Sequence, residues 1–191
     1  MRLENSFEVP ASAEAAWELL TDVPRVVPCM PGAELTETVD EANWKAKMSV
    51  KLGPIALAFA TDVKREEFEE AAKRVKLGAR AREIRGRGAA QATIESTLVA
   101  VNGGTRVDIV TDLRLSGAVA QYGRGMVEDV SSELVARFAD CLKAQLAATP
   151  AEAEAAVAQQ AKPVSGLSLA LGALGRGIAR FFRRLFRRGR G

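Results

Sequence analysis

The feature that most constrains the fold is a long series of strand-like segments followed by one long helical segment. Between Leu35 and Leu115, apolar and polar residues alternate with a period of two, and Gly, Pro and Asn interrupt the alternation. Trp44–Leu52 shows the pattern most clearly, and it stops at Gly53-Pro54. Because strands joined by short turns pair antiparallel, the series predicts about six antiparallel strands in a meander.

The segments on either side complete the pattern. Leu3–Val9 alternates and predicts one more strand, and Ser12 is a suitable N-cap for the helical pattern that follows it. A short helical turn is expected over Val23–Val27, and Pro28–Gly32 is typical of a turn. From Gly117 to about residue 146, apolar residues recur at helical spacing. This apolar stripe consists of Val119, Tyr122, Met126, Val130, Leu134, Phe138, Cys141 and Leu142.

This order of elements predicts an α+β helix-grip fold: an antiparallel curved sheet of about seven strands wrapped on a long C-terminal helix. Two short helices follow the first strand. Many positions expected to face the helix carry small side chains: Ala46, Ala79, Ala81, Ala92 and Ser96. Small residues there can leave a ligand cavity, or they can let the helix pack closely, and spacing alone favours neither.

The composition excludes several kinds of catalytic site. The chain has no histidine, which removes Ser-His-Asp and Cys-His catalysis and the commonest zinc ligand. Glu14, Glu18, Asp22 and the acidic cluster at 66–70 fit a solvated surface better than a metal or acid–base site. The Gly86-x-Gly88 pattern lies between strands, so it predicts a turn and not a phosphate site. We therefore expect no metal and no enzymatic activity.

The two cysteines, Cys29 and Cys141, are 112 positions apart and lack a CxxC spacing. They can form a disulfide or remain free buried thiols, and we expect free thiols in a reducing compartment. The N-terminus carries Glu4 and Glu8 and no apolar run of signal length, which favours a cytoplasmic protein.

Charge divides the chain into three regions. Residues after 162 contain seven arginines and no acid, whereas residues 1–162 carry a net charge of −4. We expect a folded domain at 1–146, an Ala- and Glu-rich linker at 147–163, and an amphipathic, Arg-rich tail at 164–191. The tail residues expected to bind a membrane are Leu167, Leu171, Leu174, Arg176, Ile178, Arg180, Phe181, Phe182, Arg183, Arg184, Leu185 and Arg187.

Helical spacing places the apolar residues of the tail on one face and most of its arginines on the other. Arg176 interrupts the apolar stretch well before the roughly 20 residues that a bilayer span needs. A helix lying on an anionic membrane surface fits this pattern best. A helix that binds a protein partner is the second interpretation, and a nucleic-acid-binding tail is the weakest, so we expect no nucleic acid partner.

Several segments resemble the CoxG family, which is associated with carbon monoxide dehydrogenase, and the resemblance covers about residues 1–146. They are Phe7–Ala11, Trp17–Asp22, Val26–Ala33, Val50–Ile55, Gly103–Val107 and Leu115–Gly123. This family lies in the START-like (SRPBCC) superfamily, whose members hold hydrophobic ligands between a curved sheet and a long C-terminal helix. The resemblance implies an accessory protein that recruits a molybdenum hydroxylase of the carbon monoxide dehydrogenase type to the membrane and couples it to respiratory quinone.

The expected function is therefore to bind a lipophilic small molecule, namely a quinone such as menaquinone or ubiquinone, at the cytoplasmic face of the cell membrane as a peripheral protein. The alternatives are a maturation or chaperone-like factor for the same enzyme, and an enzyme acting on a polyketide-like substrate, which the missing histidine disfavours. The expected cavity residues, whose aromatic members can equally be core, are Trp17, Trp44, Met48, Phe59, Ala81, Ala92, Leu98, Ile109, Leu113, Tyr122, Met126 and Val130.

Overall fold

A computed structural model describes residues 1–52 and 55–147 of the chain. The predictions for the tail at 164–191, and for nearly all of the linker, lie outside the described residues.

The described residues form one seven-stranded antiparallel sheet, two short α-helices after the first strand and one long C-terminal helix. The predicted helix-grip architecture is confirmed. The strands lie in the order β1-β7-β6-β5-β4-β3-β2. In chain order the elements are β1 Arg2–Val9, α1 Ala13–Thr21, α2 Val23–Val26, a first 3-10 helix Val27–Cys29, β2 Ala33–Thr38, β3 Asn43–Leu52, β4 Ile55–Glu69, β5 Arg74–Glu83, β6 Gly88–Val101, β7 Gly104–Gly117, a second 3-10 helix Ala118–Tyr122, and α3 Gly123–Ala147.

Local sequence signals act at the element ends as expected. Ser12 caps α1, and its hydroxyl accepts a hydrogen bond from the Ala15 N–H at 3.2 Å. Val101 pairs with Gly104, so Asn102 and Gly103 alone form the β6–β7 turn. Gly103 has φ +89°, a backbone conformation that favours glycine.

The C-terminal half of α3 closes one end of the sheet–helix interface. Its buried residues pack on the inner face of the sheet and on α1, and Phe138 meets Phe7 edge-on with ring centroids 6.1 Å apart. We call this end the closed cluster. Its buried members are Val9, Ala16, Trp17, Leu19, Cys29, Val75, Leu98, Val107, Phe138, Cys141 and Leu142.

The expectation of free thiols is wrong, because Cys29 and Cys141 form a disulfide. Both residues are fully buried, and their Cα atoms lie 5.4 Å apart. The first 3-10 helix carries Cys29, and α3 brings Cys141 against it. Gln145 adds a hydrogen bond to Cys29 Sγ at 3.1 Å. The 112-residue separation hid this pairing, since the packing of α3 creates the proximity and no local sequence pattern does.

Candidate ligand-binding face

The inner face of the sheet, which faces α3, carries two adjacent rows of mostly small side chains. One row runs Ala46, Thr61, Ala81, Ala90 and Leu115 across five neighbouring strands. The next row runs Trp44, Val63, Ala79, Ala92 and Leu113. All of these residues except Trp44 are only partly buried. The centre of the inner face is therefore apolar, low in relief and incompletely covered.

The N-terminal half of α3 leaves this face partly uncovered. Met126 is 42% exposed, and Val130 and Leu134 are half-buried, whereas Phe138 and Leu142 further along the same stripe are buried. The predicted stripe is thus fully buried at its C-terminal end only.

Beside the uncovered rows, a second apolar cluster forms where β3, β4 and β5 approach the second 3-10 helix. Its buried members are Leu57, Phe59 and Val119. We call it the open cluster. The partly buried residues that pack on it are Met48, Ile55, Ala81, Leu115 and Tyr122.

The structure divides the predicted cavity residues among these regions. Met48, Phe59, Ala81 and Tyr122 belong to the open cluster. Those in the adjacent row, or on the part of α3 near the open end, are Trp44, Ala92, Leu113, Met126 and Val130.

The remaining three residues, Trp17, Leu98 and Ile109, are part of the closed cluster or pack against it. Trp44 also has a structural partner, because the Arg65 guanidinium carbon lies 5.9 Å from its ring centroid. That any of the twelve residues contacts a ligand stays a prediction.

One polar atom interrupts the apolar rows. The hydroxyl oxygen of Thr61, between Ala46 and Ala81, is buried and has no hydrogen-bond partner among the described residues. A buried hydroxyl without a partner costs free energy, so a group that could pair with it would be stabilised there. Sequence patterns did not single out Thr61, although its odd position in β4 places it on the same face as Phe59.

A buried carboxylate shapes the edge of the open end. Glu83, 5% exposed, accepts hydrogen bonds from the backbone N–H groups of Arg85 at 2.8 Å and Arg87 at 3.0 Å. Burial acts to raise the pKa of Glu83, but the N–H donors of Arg87 and Arg85 outweigh it and hold the pKa below its usual value. The sequence pattern did not single out Glu83, although its position follows the inward series of β5.

The Gly86-x-Gly88 pattern forms the β5–β6 turn, as predicted, with φ +76° at Gly86. The Glu83 carboxylate already occupies two N–H groups of this turn, so they are not available to bind a phosphate. Among the residues at 1–52 and 55–147, no group of three or more His, Cys, Asp or Glu side chains is placed to hold a metal ion.

The outer face of the sheet differs in chemistry from the inner face. It carries a broad depression of about 1260 Å³, lined mainly by charged and polar residues such as Lys64, Asp62, Arg80 and Glu95. Trp44, Ala92 and Leu113 also border it, although their side chains alternate toward the inner face. Its polar lining does not suit a lipophilic molecule. No helix in the described part of the chain is long and apolar enough to cross a membrane.

The profile of the carbon monoxide dehydrogenase CoxG family matches residues 6–147. The chain belongs to the CoxG family. The resemblance inferred from sequence motifs is thereby confirmed, and the match covers all of α3 and the whole sheet apart from the first residues of β1. No curated protein matches the sequence with significance.

Solved structures show the same fold at low identity. A conserved protein from Geobacillus kaustophilus is 19% identical, with a TM-score of 0.66 over 83% of this chain and 96% of that one. A START superfamily protein from Mycobacterium smegmatis is 16% identical, with a TM-score of 0.50 over 76% and 96%. The Zhui aromatase/cyclase from Streptomyces sp. R1128 is 15% identical, with a TM-score of 0.52 over 73% and 89%. The fold is START-like, and one neighbour that shares it is an enzyme.

Proposed function

We propose that this CoxG protein binds a lipophilic ring compound, a respiratory quinone such as menaquinone or ubiquinone, on the inner face of its sheet. In this proposal it is an accessory protein and not an enzyme. It recruits a molybdenum hydroxylase of the carbon monoxide dehydrogenase type to the cytoplasmic face of the cell membrane and helps couple that enzyme to the quinone pool.

The observation that carries the ligand proposal is the incompletely covered apolar face between α3 and β3–β7. Flat rings bury well against rows of small side chains, and each square ångström of apolar surface removed from water contributes about 25 cal/mol. Ala81, Ala90 and Ala92 leave room for such a ring. The Thr61 hydroxyl, which lacks a partner, supports a ligand with an acceptor such as a ring carbonyl.

The family description supports the enzyme partner, because it names a subunit of carbon monoxide dehydrogenase. The tail sequence supports the membrane surface. Its arginines, including Arg176, Arg180, Arg183 and Arg187, would each contribute about 1 kcal/mol near anionic lipid. Phe181 and Phe182 would add apolar burial at the same interface.

The ligand proposal is tested by incubating the purified full chain with menaquinone or ubiquinone and identifying bound quinone by extraction and mass spectrometry. Ala92→Phe should abolish quinone binding because it fills the inner face. Thr61→Val, which replaces only the hydroxyl, should weaken it. Ala60→Phe is the matched control, since Ala60 precedes Thr61 on β4 and faces outward. Binding that survives Ala92→Phe and fails with Ala60→Phe would place the ligand elsewhere.

The membrane proposal is tested with tail variants of the full chain on lipid vesicles. Changing Arg176, Arg180, Arg183 and Arg187 to Gln should weaken binding to anionic vesicles and flatten its salt dependence. Phe181→Ser with Phe182→Ser should weaken binding but leave the salt dependence in place. Equal binding to neutral and anionic vesicles by the unaltered chain would contradict the electrostatic part of the proposal.

A further inference from the structure

The β5–β6 turn combines an exposed aliphatic side chain with a group of arginines. Ile84 is 58% exposed, and Arg82, Arg85 and Arg87 beside it are also exposed. We call these four residues the arginine turn. A Cβ added at Gly86 would have no atom within 4 Å, so the tip of the turn projects into open space.

The outer face next to the arginine turn continues its positive charge. Across the strands, Lys47 is opposite Ala60, which is opposite Arg82, and Arg80 and Arg114 flank Gln91 in the neighbouring row. Within residues 1–52 and 55–147, none of these side chains or those of Arg85 and Arg87 forms an ion pair with an acid.

The opposite end of the sheet shows that this arrangement is local. There Arg74 pairs with Glu67 at 2.9 Å and with Glu95 at 3.4 Å, and Lys76 pairs with Glu67 at 2.9 Å. The β2–β3 turn at that end also exposes an aliphatic residue, Val39, at 50%. It is followed by Asp40 and Glu41 and not by arginines.

The arginine turn lies at the same end of the sheet as the open cluster. Glu83, directly before Ile84, pairs with Phe59 of that cluster in the β4–β5 register. A Cβ added at Gly88 would approach Val119 Cγ2 to 2.9 Å, so the end of the turn touches the second 3-10 helix. Whatever surface the turn contacts therefore faces the incompletely covered end of the inner face.

We propose that the arginine turn is a second contact with anionic membrane lipid, in addition to the tail, and that it holds the open end of the inner face against the bilayer. Exposed arginines around one aliphatic side chain are the combination that an interfacial segment uses, with cations on lipid phosphates and the apolar group among the headgroups. The inference rests on the membrane arm of the proposed function, but it concerns a different surface of the protein.

A membrane fits the arginine turn better than an acidic protein surface does. A stable protein interface buries about 800 Å² on each partner, with a well-packed apolar centre. The turn offers one aliphatic side chain at a projecting tip, and the rows behind it carry Ala58, Ala60 and Ala89 between the cations. The tail sequence has the same combination of arginine and apolar residues, so both segments favour the same surface.

Tryptophan quenching by brominated lipid tests the contact directly in the full chain. Ile84→Trp should be quenched on vesicles that contain phosphatidylglycerol and brominated phosphatidylcholine. Val39→Trp is the matched control at the opposite end and should remain unquenched. The native Trp17 and Trp44 are 4% and 5% exposed, so they contribute a constant background.

A charge variant measures the strength of the contact. Arg85→Gln with Arg87→Gln keeps the backbone N–H groups that Glu83 binds, and it should weaken anionic-vesicle binding about 30-fold. Lys45→Gln with Arg106→Gln removes two charges nearer the opposite end and should change the affinity little.

The outcomes separate the two proposals. Failure of the unaltered chain to bind anionic vesicles would overturn both. Vesicle binding with equal quenching at positions 84 and 39, or with none at 84, would overturn the second contact alone and leave the tail as the anchor. Loss of affinity for a carbon monoxide dehydrogenase partner in the arginine variant, without quenching at 84, would assign the turn to a protein surface instead.

Discussion

The two ends of the sheet–helix interface are built from the same helix and the same strands, yet they differ in how completely they are filled. At the closed end, Phe138 and Leu142 of α3 are buried, and a disulfide ties the helix to the first 3-10 helix. At the open end, Met126 of the same stripe is 42% exposed above rows of alanines. The closed end can hold the fold together by itself, and that leaves the open end available for a ligand.

Truncating the stripe at each end should give the largest contrast. Phe138→Ala removes a ring packed edge-on against Phe7 and should lower the free energy of unfolding by about 3–5 kcal/mol. Met126→Ala, on the same helix, should cost less than about 1 kcal/mol because much of its side chain is already in water. Urea denaturation of both variants measures the difference. Similar losses would mean that α3 covers the sheet evenly in solution.

Breaking the disulfide should weaken the closed end next. Reduction releases the constraint on a 112-residue separation in the unfolded chain and should lower the free energy of unfolding by about 2–5 kcal/mol. Denaturant melts with and without a reductant measure this loss. A Cys29→Ala, Cys141→Ala variant is the control, since its stability should not respond to the reductant. An unchanged melt of the unaltered chain after verified reduction would contradict the prediction.

The sequence predicted the seven strands, the Ser12 cap and the Asn102-Gly103 turn because each depends on alternation or on local backbone chemistry. It did not predict the disulfide, which depends on where α3 lies. Nor did it predict the register shift between Arg65 and Glu67 in β4. That shift reverses the alternation, so Phe68 packs against Trp17 with ring centroids 5.1 Å apart.

The candidate site was predictable only in part. Alternation identifies the inward residues, including Ala81 and Ala92, and the same series continues to Glu83. It does not show which of them α3 covers, since Met126 and Phe138 occupy equivalent positions in one helical stripe. Coverage depends on the curvature of the sheet and on the anchoring of the helix at one end, which are tertiary properties.

Overfilling should distinguish the ends in the opposite sense from truncation. Ala139→Leu adds volume at a position that is 3% exposed in the closed end and should cost about 1–3 kcal/mol. Ala92→Leu adds the same volume on the half-covered rows and should cost less than about 1 kcal/mol. Both are measured by denaturant melts. A large loss in Ala92→Leu would show that the alanine rows are closely packed after all.

The smallest expected effect concerns the single carboxylate that holds the arginine turn. The native pKa of Glu83 lies below its ordinary value of 4.5, so its contribution to stability is fully present above about pH 4.5. It is lost as the pH falls through the lower native pKa, because the protonated carboxyl accepts more weakly from the Arg85 and Arg87 N–H groups. Hydrogen-exchange protection of those two amides should therefore decrease below that pH, while the amide of Leu142 in the closed end keeps its protection. In Glu83→Gln, whose side chain does not titrate, the turn amides should show weaker protection that is independent of pH. Parallel loss of protection at both ends would instead indicate global acid unfolding and would remove the distinction between them.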